Sequence, residues 1–247
     1  MNKSLVRILL ASLLILTAGW QGWQEVKAQG ADWLPVKYVR IEGEFQYIAK
    51  EKVKSVLLEH VINGFYNVDI QRVQASVKSL PWVDTVRVER VWPDAFNIVI
   101  NEQAPVVRWS NDALLNADGE IFKPEQIKDF SQLPLLEGPV GYEQKMLEIL
   151  NALLIDLSEQ GMLLSKFKIN ERRAWNIELQ NKMELKVGRN QPLKKIQRFL
   201  KTIPLIGQEQ IADIAVVDLR YSNGYALRWK QGAAEIDWKK IAEMNKT

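Results

Sequence analysis

Apolar and polar positions along residues 38 to 102 change period in an order that spells out a small module. Tyr38-Val39-Arg40-Ile41-Glu42 alternates as a strand does and stops at Gly43. Val53, Val56, Leu57 and Val61 then recur at helical spacing. Ile70, Val73, Val77 and Leu80 repeat that spacing, with Asp69 placed to cap the second helix. After Leu80-Pro81-Trp82-Val83 the period returns to two. Val86 and Val88 face one way and Arg87 and Glu89 the other, and Phe96, Ile98 and Ile100 resume the alternation beyond a break at Trp92-Pro93-Asp94. This predicts an antiparallel hairpin with one wet face. The order strand, helix, helix, strand, strand is a small α+β layer whose helices cover one face of a sheet.

A second pattern begins after Gln103-Ala104-Pro105. Val106 to Trp109 and Ala113 to Asn116 read as short strands, and Asp118-Gly119 as a hairpin turn into Ile121-Phe122. Leu133 to Gly138 reads as an edge or connecting segment, because Pro134 cannot donate to a ladder. Met146, Ile149, Leu150, Leu153, Leu154 and Leu157 form a helical stripe that Gly161 terminates. Strand signals resume at 163 to 169, 175 to 179 and 183 to 187. Pro192 then opens a helix turning Leu193, Ile196, Phe199, Leu200 and Ile203 inward. Its outer residues Lys194, Lys195, Arg198 and Lys201 read as a solvated face. Val217, Leu219 and Tyr221, a turn at Ser222-Asn223-Gly224, and Tyr225, Leu227 and Trp229 predict a final strand pair. The last strand is placed to be an edge, with backbone groups that another chain can complete. The aromatic residues there suit either core filling or an interface.

Residues 1 to 23 stand apart, with no acidic residue, basic Lys3 and Arg7, and an apolar run from Ile8 to Ala18. Leu5 through Trp23 reaches the roughly 20 residues of a membrane span when Arg7 snorkels and Trp20 and Trp23 sit in the far interface. A cleaved signal peptide is the alternative, and Thr17-Ala18-Gly19 comes nearest to a cleavage site. Under either reading the positive-inside rule exports the chain beyond Trp23. The chain of 247 residues contains no cysteine, so its stability rests on burial rather than disulfides. Setting Lys3 and Arg7 aside leaves 31 basic residues against 30 acidic ones, a net charge of +1 for the exported part. With the signs interspersed, nucleic acid is not an expected partner.

Catalytic patterns are missing from the sequence. His60 is the single histidine, placed on the first helix, and no nucleophile elbow, phosphate loop or dinucleotide glycine motif occurs. Asp94 belongs to a turn, which weakens any pairing with Glu102 as acid and base, and Asp118 belongs to its Asp-Gly turn. No enzyme activity, cofactor, metal or small-molecule substrate is expected.

The order of these pieces resembles the bacterial cell-division family FtsQ/DivIB. The resemblance is carried by Leu80-Pro81-Trp82-Val83, Val86-Arg87-Val88, Trp92-Pro93, Asn101-Glu102-Gln103-Ala104-Pro105, Leu115 to Phe122, and Val217-Asp218-Leu219-Arg220-Tyr221 with a strand closing on Trp229. It implies an α+β protein with an N-terminal transmembrane helix, a small βααββ POTRA domain, and a larger mixed domain whose mainly antiparallel sheet ends in an edge strand. The expected division is a cytoplasmic tail at 1–4, an anchor at 5–23 including Leu5, Trp20 and Trp23, a linker at 24–36, the POTRA domain at 37–104, the β domain at 105–231 and a flexible tail at 232–247.

The implied role is a scaffold of the division machinery in the inner membrane, single-pass, with its bulk in the periplasm at the septum. Its implied partners are FtsB, complexed with FtsL, and other division proteins reached through the anchor and POTRA domain. The FtsB site would add a strand to the last strand, using Arg220, Tyr221, Asn223, Gly224, Tyr225, Leu227 and Trp229. Two features depart from the family pattern, a short cytoplasmic tail and Arg228 where a small residue is expected. A POTRA-containing chaperone or barrel-assembly accessory protein is the alternative function, and a cell-wall hydrolase a more distant one.

Overall fold

In the computed structural model, which describes Thr17, Trp20 and residues 35–62, 64–206 and 208–233, the first pattern becomes a three-stranded sheet under two helices. Strand β1 (Tyr38–Glu42) is followed by α1 (Lys50–Val61), α2 (Ile70–Lys78), β2 (Val83–Val91) and β3 (Ala95–Glu102). Strand β3 is central, antiparallel to β2 and parallel to β1. Its inner residues Phe96, Ile98 and Ile100 are buried with Val53 and Leu57 of α1 and Val73 and Val77 of α2. Each such apolar side chain contributes about 1.5–3 kcal/mol when fully removed from water. The Asp69 carboxylate caps α2 by accepting the amides of Gln71 at 3.0 Å and Arg72 at 3.2 Å.

Two residues fix how β1 leaves the sheet. Gly43 has φ +148°, and a Cβ there would lie 2.3 Å from the Ile100 carbonyl oxygen, so only glycine permits this approach. At the end of β3 the Glu102 carboxylate accepts the amides of Gln46 (3.0 Å), Tyr47 (2.9 Å) and Ile48 (2.8 Å). It thereby ties the loop before α1 to the sheet.

The chain divides into two units, Met1–Gln103 and Ala104–Thr247. The second contains a nine-stranded sheet formed by β4 (Pro105–Trp109), β5 (Ala113–Asn116), β6 (Ile121–Phe122), β7 (Leu135–Glu137), β8 (Leu164–Ile169), β9 (Trp175–Leu179), β10 (Glu184–Gly188), β11 (Ile214–Asp218) and β12 (Ala226–Trp229). The strand order is β12-β11-β10-β9-β8-β7-β4-β5-β6. Neighbours β4 and β7, β7 and β8, and β10 and β11 are parallel, and the remaining pairs antiparallel. Helices α3 (Glu143–Ser158) and α4 (Pro192–Thr202), followed by the short α5 (Gln208–Ala212), complete the unit. Met146, Leu150, Leu153 and Leu157 of α3 share one core with Ile196, Phe199 and Leu200 of α4 and with Phe167, Ile177, Leu185 and Val217 of the sheet.

The segment after Leu133 is neither an edge nor a mere connection. Strand β7 lies inside the sheet between β4 and β8. Pro134 stands just before the strand and acts as an acceptor, its carbonyl receiving the Arg108 amide at 2.9 Å. The missing N–H therefore costs the ladder nothing. On α3, Leu147 is buried while Leu154 is exposed, a small rotation of the expected stripe. The Asp118-Gly119 turn is held by the Asn116 side chain, which accepts the amides of Asp118 at 3.0 Å and Glu120 at 2.9 Å.

Of the expected anchor, Thr17 and Trp20 are helical, and Leu5, Trp23 and the other positions lie outside the described residues. So does the expected C-terminal tail beyond Ala233. No helix among the described residues is long and apolar enough to cross a membrane.

Candidate partner-binding site

Strand β12 closes one end of the large sheet, and among the described residues it has a strand neighbour, β11, on one side only. The pair is antiparallel, with Val217 opposite Leu227 and Asp218 opposite Ala226. Strand β11 ends at Asp218, earlier than alternation through Tyr221 predicts, because the Asp218 carboxylate captures Arg220 just beyond it. It accepts the Arg220 amide at 3.1 Å and the Arg220 guanidinium Nε at 2.8 Å and Nη2 at 2.5 Å. These hydrogen bonds hold the Asp218 carboxyl below the usual carboxylate range. Residues 219–225 consequently form a loop rather than a tight turn.

Helix α4 supports that loop from beneath. Gln191, at φ 47°, and Pro192 start the helix, and Lys195 Nζ donates to the Arg220 carbonyl at 3.0 Å. The Arg198 guanidinium donates to the carbonyls of Ser222 at 2.7 Å and Gly224 at 3.3 Å. The cationic face read from sequence as merely solvated thus has a structural role at Lys195 and Arg198. A groove of about 640 Å³ opens beside the loop, lined by the cations Arg189, Lys194, Lys195, Arg198 and Arg220 and by neutral Asn190, Gln191 and Ser222. Opposite charge is the natural occupant of such a groove.

The seven residues expected to bind a partner fall in this one region but play different parts. Tyr221 is exposed at 58%, and Arg220 and Asn223 are also exposed. Gly224 is half-buried. Tyr225 is half-buried, its hydroxyl 2.8 Å from Thr202 Oγ1 and its ring edge-on to Phe199 at 5.3 Å. Leu227 and Trp229 are likewise half-buried and pack on the core. Tyr225, Leu227 and Trp229 thus brace the strand against the core, and Tyr221 projects from the loop beside it. Arg228 is exposed on β12 opposite Val216. Arg189 and Lys194 had no distinguishing signal in sequence beyond their sign, since only the fold brings them beside Arg220.

Elsewhere the structure disperses potential catalysts. His60 Nε2 lies 2.8 Å from Ser76 Oγ, joining α1 to α2. Asp94 pairs with Lys37 at 2.7 Å, at the opposite end of β3 from Glu102, roughly 25 Å away at strand rise. No group of three or more metal-ligating side chains occurs among the described residues.

Fold and site define a protein with a POTRA-type first unit and a second unit that offers a sheet edge flanked by cations. Residues 34–103 match the family model described as POTRA domain, FtsQ-type, and residues 107–220 that described as Cell division protein FtsQ/DivIB, C-terminal. Cell division protein FtsQ of Methylomonas methanica is 47% identical over 238 residues, 96% of each chain. That of Xanthomonas campestris pv. campestris is 30% identical over 238 residues, 95% of this chain and 83% of the other. That of Escherichia coli K12 is 30% identical over 223 residues, 87% of this chain and 79% of the other. The chain belongs to the FtsQ/DivIB family of cell-division proteins.

Proposed function

We propose that this protein is a non-enzymatic scaffold of the division machinery, anchored in the inner membrane by residues 5–23, with both units in the periplasm at the septum. Its partner is the FtsB–FtsL complex, received by strand addition on β12. The observation that carries this reading is that β12 stands at the end of the sheet and, among the described residues, pairs with a strand on one side only. Tyr221 supplies exposed aromatic surface beside that edge, and the cationic groove favours an acidic side chain flanking the added strand. The alternative of a barrel-assembly accessory protein has less support, because residues 107–220 match the FtsQ/DivIB C-terminal model.

The test is titration of the full chain in detergent with the periplasmic part of FtsB–FtsL. Arg220→Glu and Tyr221→Ala should each weaken binding at least about tenfold, which corresponds to ~1.4 kcal/mol. Of two synthetic FtsB segments methylated on opposite sets of alternate backbone amides, the one whose methyls replace the N–H groups facing β12 should bind more weakly still, since strand addition needs that set. Equal affinity of both methylated segments and the unmethylated one would rule out strand addition. Deleting residues 1–23 should release the protein from sedimented membranes while leaving this affinity unchanged.

A further inference from the structure

One end of the first unit carries an aromatic tip. The turn between β2 and β3 presents Trp92, 63% exposed, next to Val91 at 48%. Tyr66, 55% exposed, meets Trp92 edge-on at 5.5 Å, and both rest on buried Phe65 at 5.8 and 5.0 Å. Tyr38, 69% exposed, stands opposite Ala95 at the start of the β1–β3 ladder. The tip is held in place, since Arg90 Nη2 donates to the Val68 carbonyl at 2.6 Å and so ties the Tyr66 loop to β2.

The chain enters the unit at this same end. The Lys37 amide donates to the Asp94 carbonyl at 2.8 Å, and its ammonium pairs with the Asp94 carboxylate at 2.7 Å. It leaves from the other end of β3, where the Gln103 amide meets the Trp82 carbonyl at 2.8 Å. About 13 residues separate the apolar run ending at Trp23 from Lys37, and even fully extended they span at most roughly 45 Å. The exposed aromatics therefore lie at the end of the unit that comes first in the chain after the segment proposed to enter the membrane. Tryptophan and tyrosine concentrate at membrane interfaces, and a tether converts a weak contact into an intramolecular one at an effective concentration of order mM. A preordered tip loses little freedom on contact.

We infer that the tip formed by Tyr38, Tyr66, Val91 and Trp92 docks on the interface of the bilayer that holds the anchor, so that the first unit rests against the membrane. This docking depends on the inner-membrane anchoring proposed for residues 5–23. Because the chain has no cysteine, single nitroxide labels can be placed without background. The full chain is reconstituted in phosphatidylethanolamine–phosphatidylglycerol vesicles with a label at Leu10→Cys, Val91→Cys or Glu44→Cys, and collision with oxygen is compared with collision with a water-soluble nickel chelate. Labels at 10 and 91 should favour oxygen, and the label at 44, beyond the far end of β1, should favour nickel. Adding Tyr38→Lys to Val91→Cys should return position 91 toward the aqueous ratio with the circular dichroism spectrum unchanged. A lipid signal at 10 with position 91 matching position 44 overturns the docking and leaves the anchor standing. So does shielding at 91 that appears only when FtsB–FtsL is added, which would make the tip a protein interface. Aqueous signals at all three positions overturn the anchor and the docking together.

Discussion

Glu102 illustrates how a residue can look chemical in sequence and prove architectural in space. Its carboxylate takes three successive amides from residues 46 to 48, groups that would otherwise need water or another acceptor. Removing one partner of a hydrogen bond to a charged group leaves the other unsatisfied. Glu102→Ala should therefore lower the stability of the first unit by about 1–3 kcal/mol, measured by urea unfolding, while leaving partner affinity at β12 unchanged. The sequence placed Glu102 next to Gln103-Ala104-Pro105 but held no sign of the loop it binds, because that loop lies over fifty positions earlier. Asp69 is the opposite case. A cap acts on amides two and three positions away, so it was legible directly.

At the scale of elements, β7 shows where local reading fails. Three residues beside a proline look like a connection, yet β7 is an inner strand joined in parallel to β4 and β8. Glu137 at its end sits 2.5 Å from Lys166 and 2.9 Å from Lys168 of β8. Burial opposes its ionisation, but the two lysines outweigh that and hold its carboxyl below the ordinary value of 4.5. A carboxyl depressed in the folded state contributes stability that is fully present above its unfolded value and is lost as pH falls through the folded one. Glu137→Gln should accordingly flatten the acid limb of the second unit's stability profile below about pH 4.5, seen as a smaller fall in melting temperature than in the parent chain. An unchanged acid limb would show that the lysine pairs do not stabilise β7. Helices α1 to α4 were legible because 3.6-residue periodicity is a local signal. The union of Lys195 and Arg198 with the loop after β11 was not, since those partners are 23 or more residues apart.

For the whole molecule, separate cores in the two units predict separable unfolding. Gly43→Ala forces a Cβ against the Ile100 carbonyl and should destabilise the first unit by at least about 2 kcal/mol. Calorimetry should show the transition of the first unit moving down while that of the second stays in place, and a single shifted transition would argue against independent cores. The sequence by itself determined the order and period of most elements, the turns at Trp92-Pro93-Asp94 and Asp118-Gly119, the apolar N-terminal run and, through the ordered motifs, the family. Each of these depends on residues within a few positions of one another. Only the tertiary structure decided that β1 runs parallel to β3, that β7 is internal, and that Arg189, Lys194 and Arg220 line one groove. Those outcomes depend on pairings between distant segments, which are chosen by burial of the whole core rather than by any local preference.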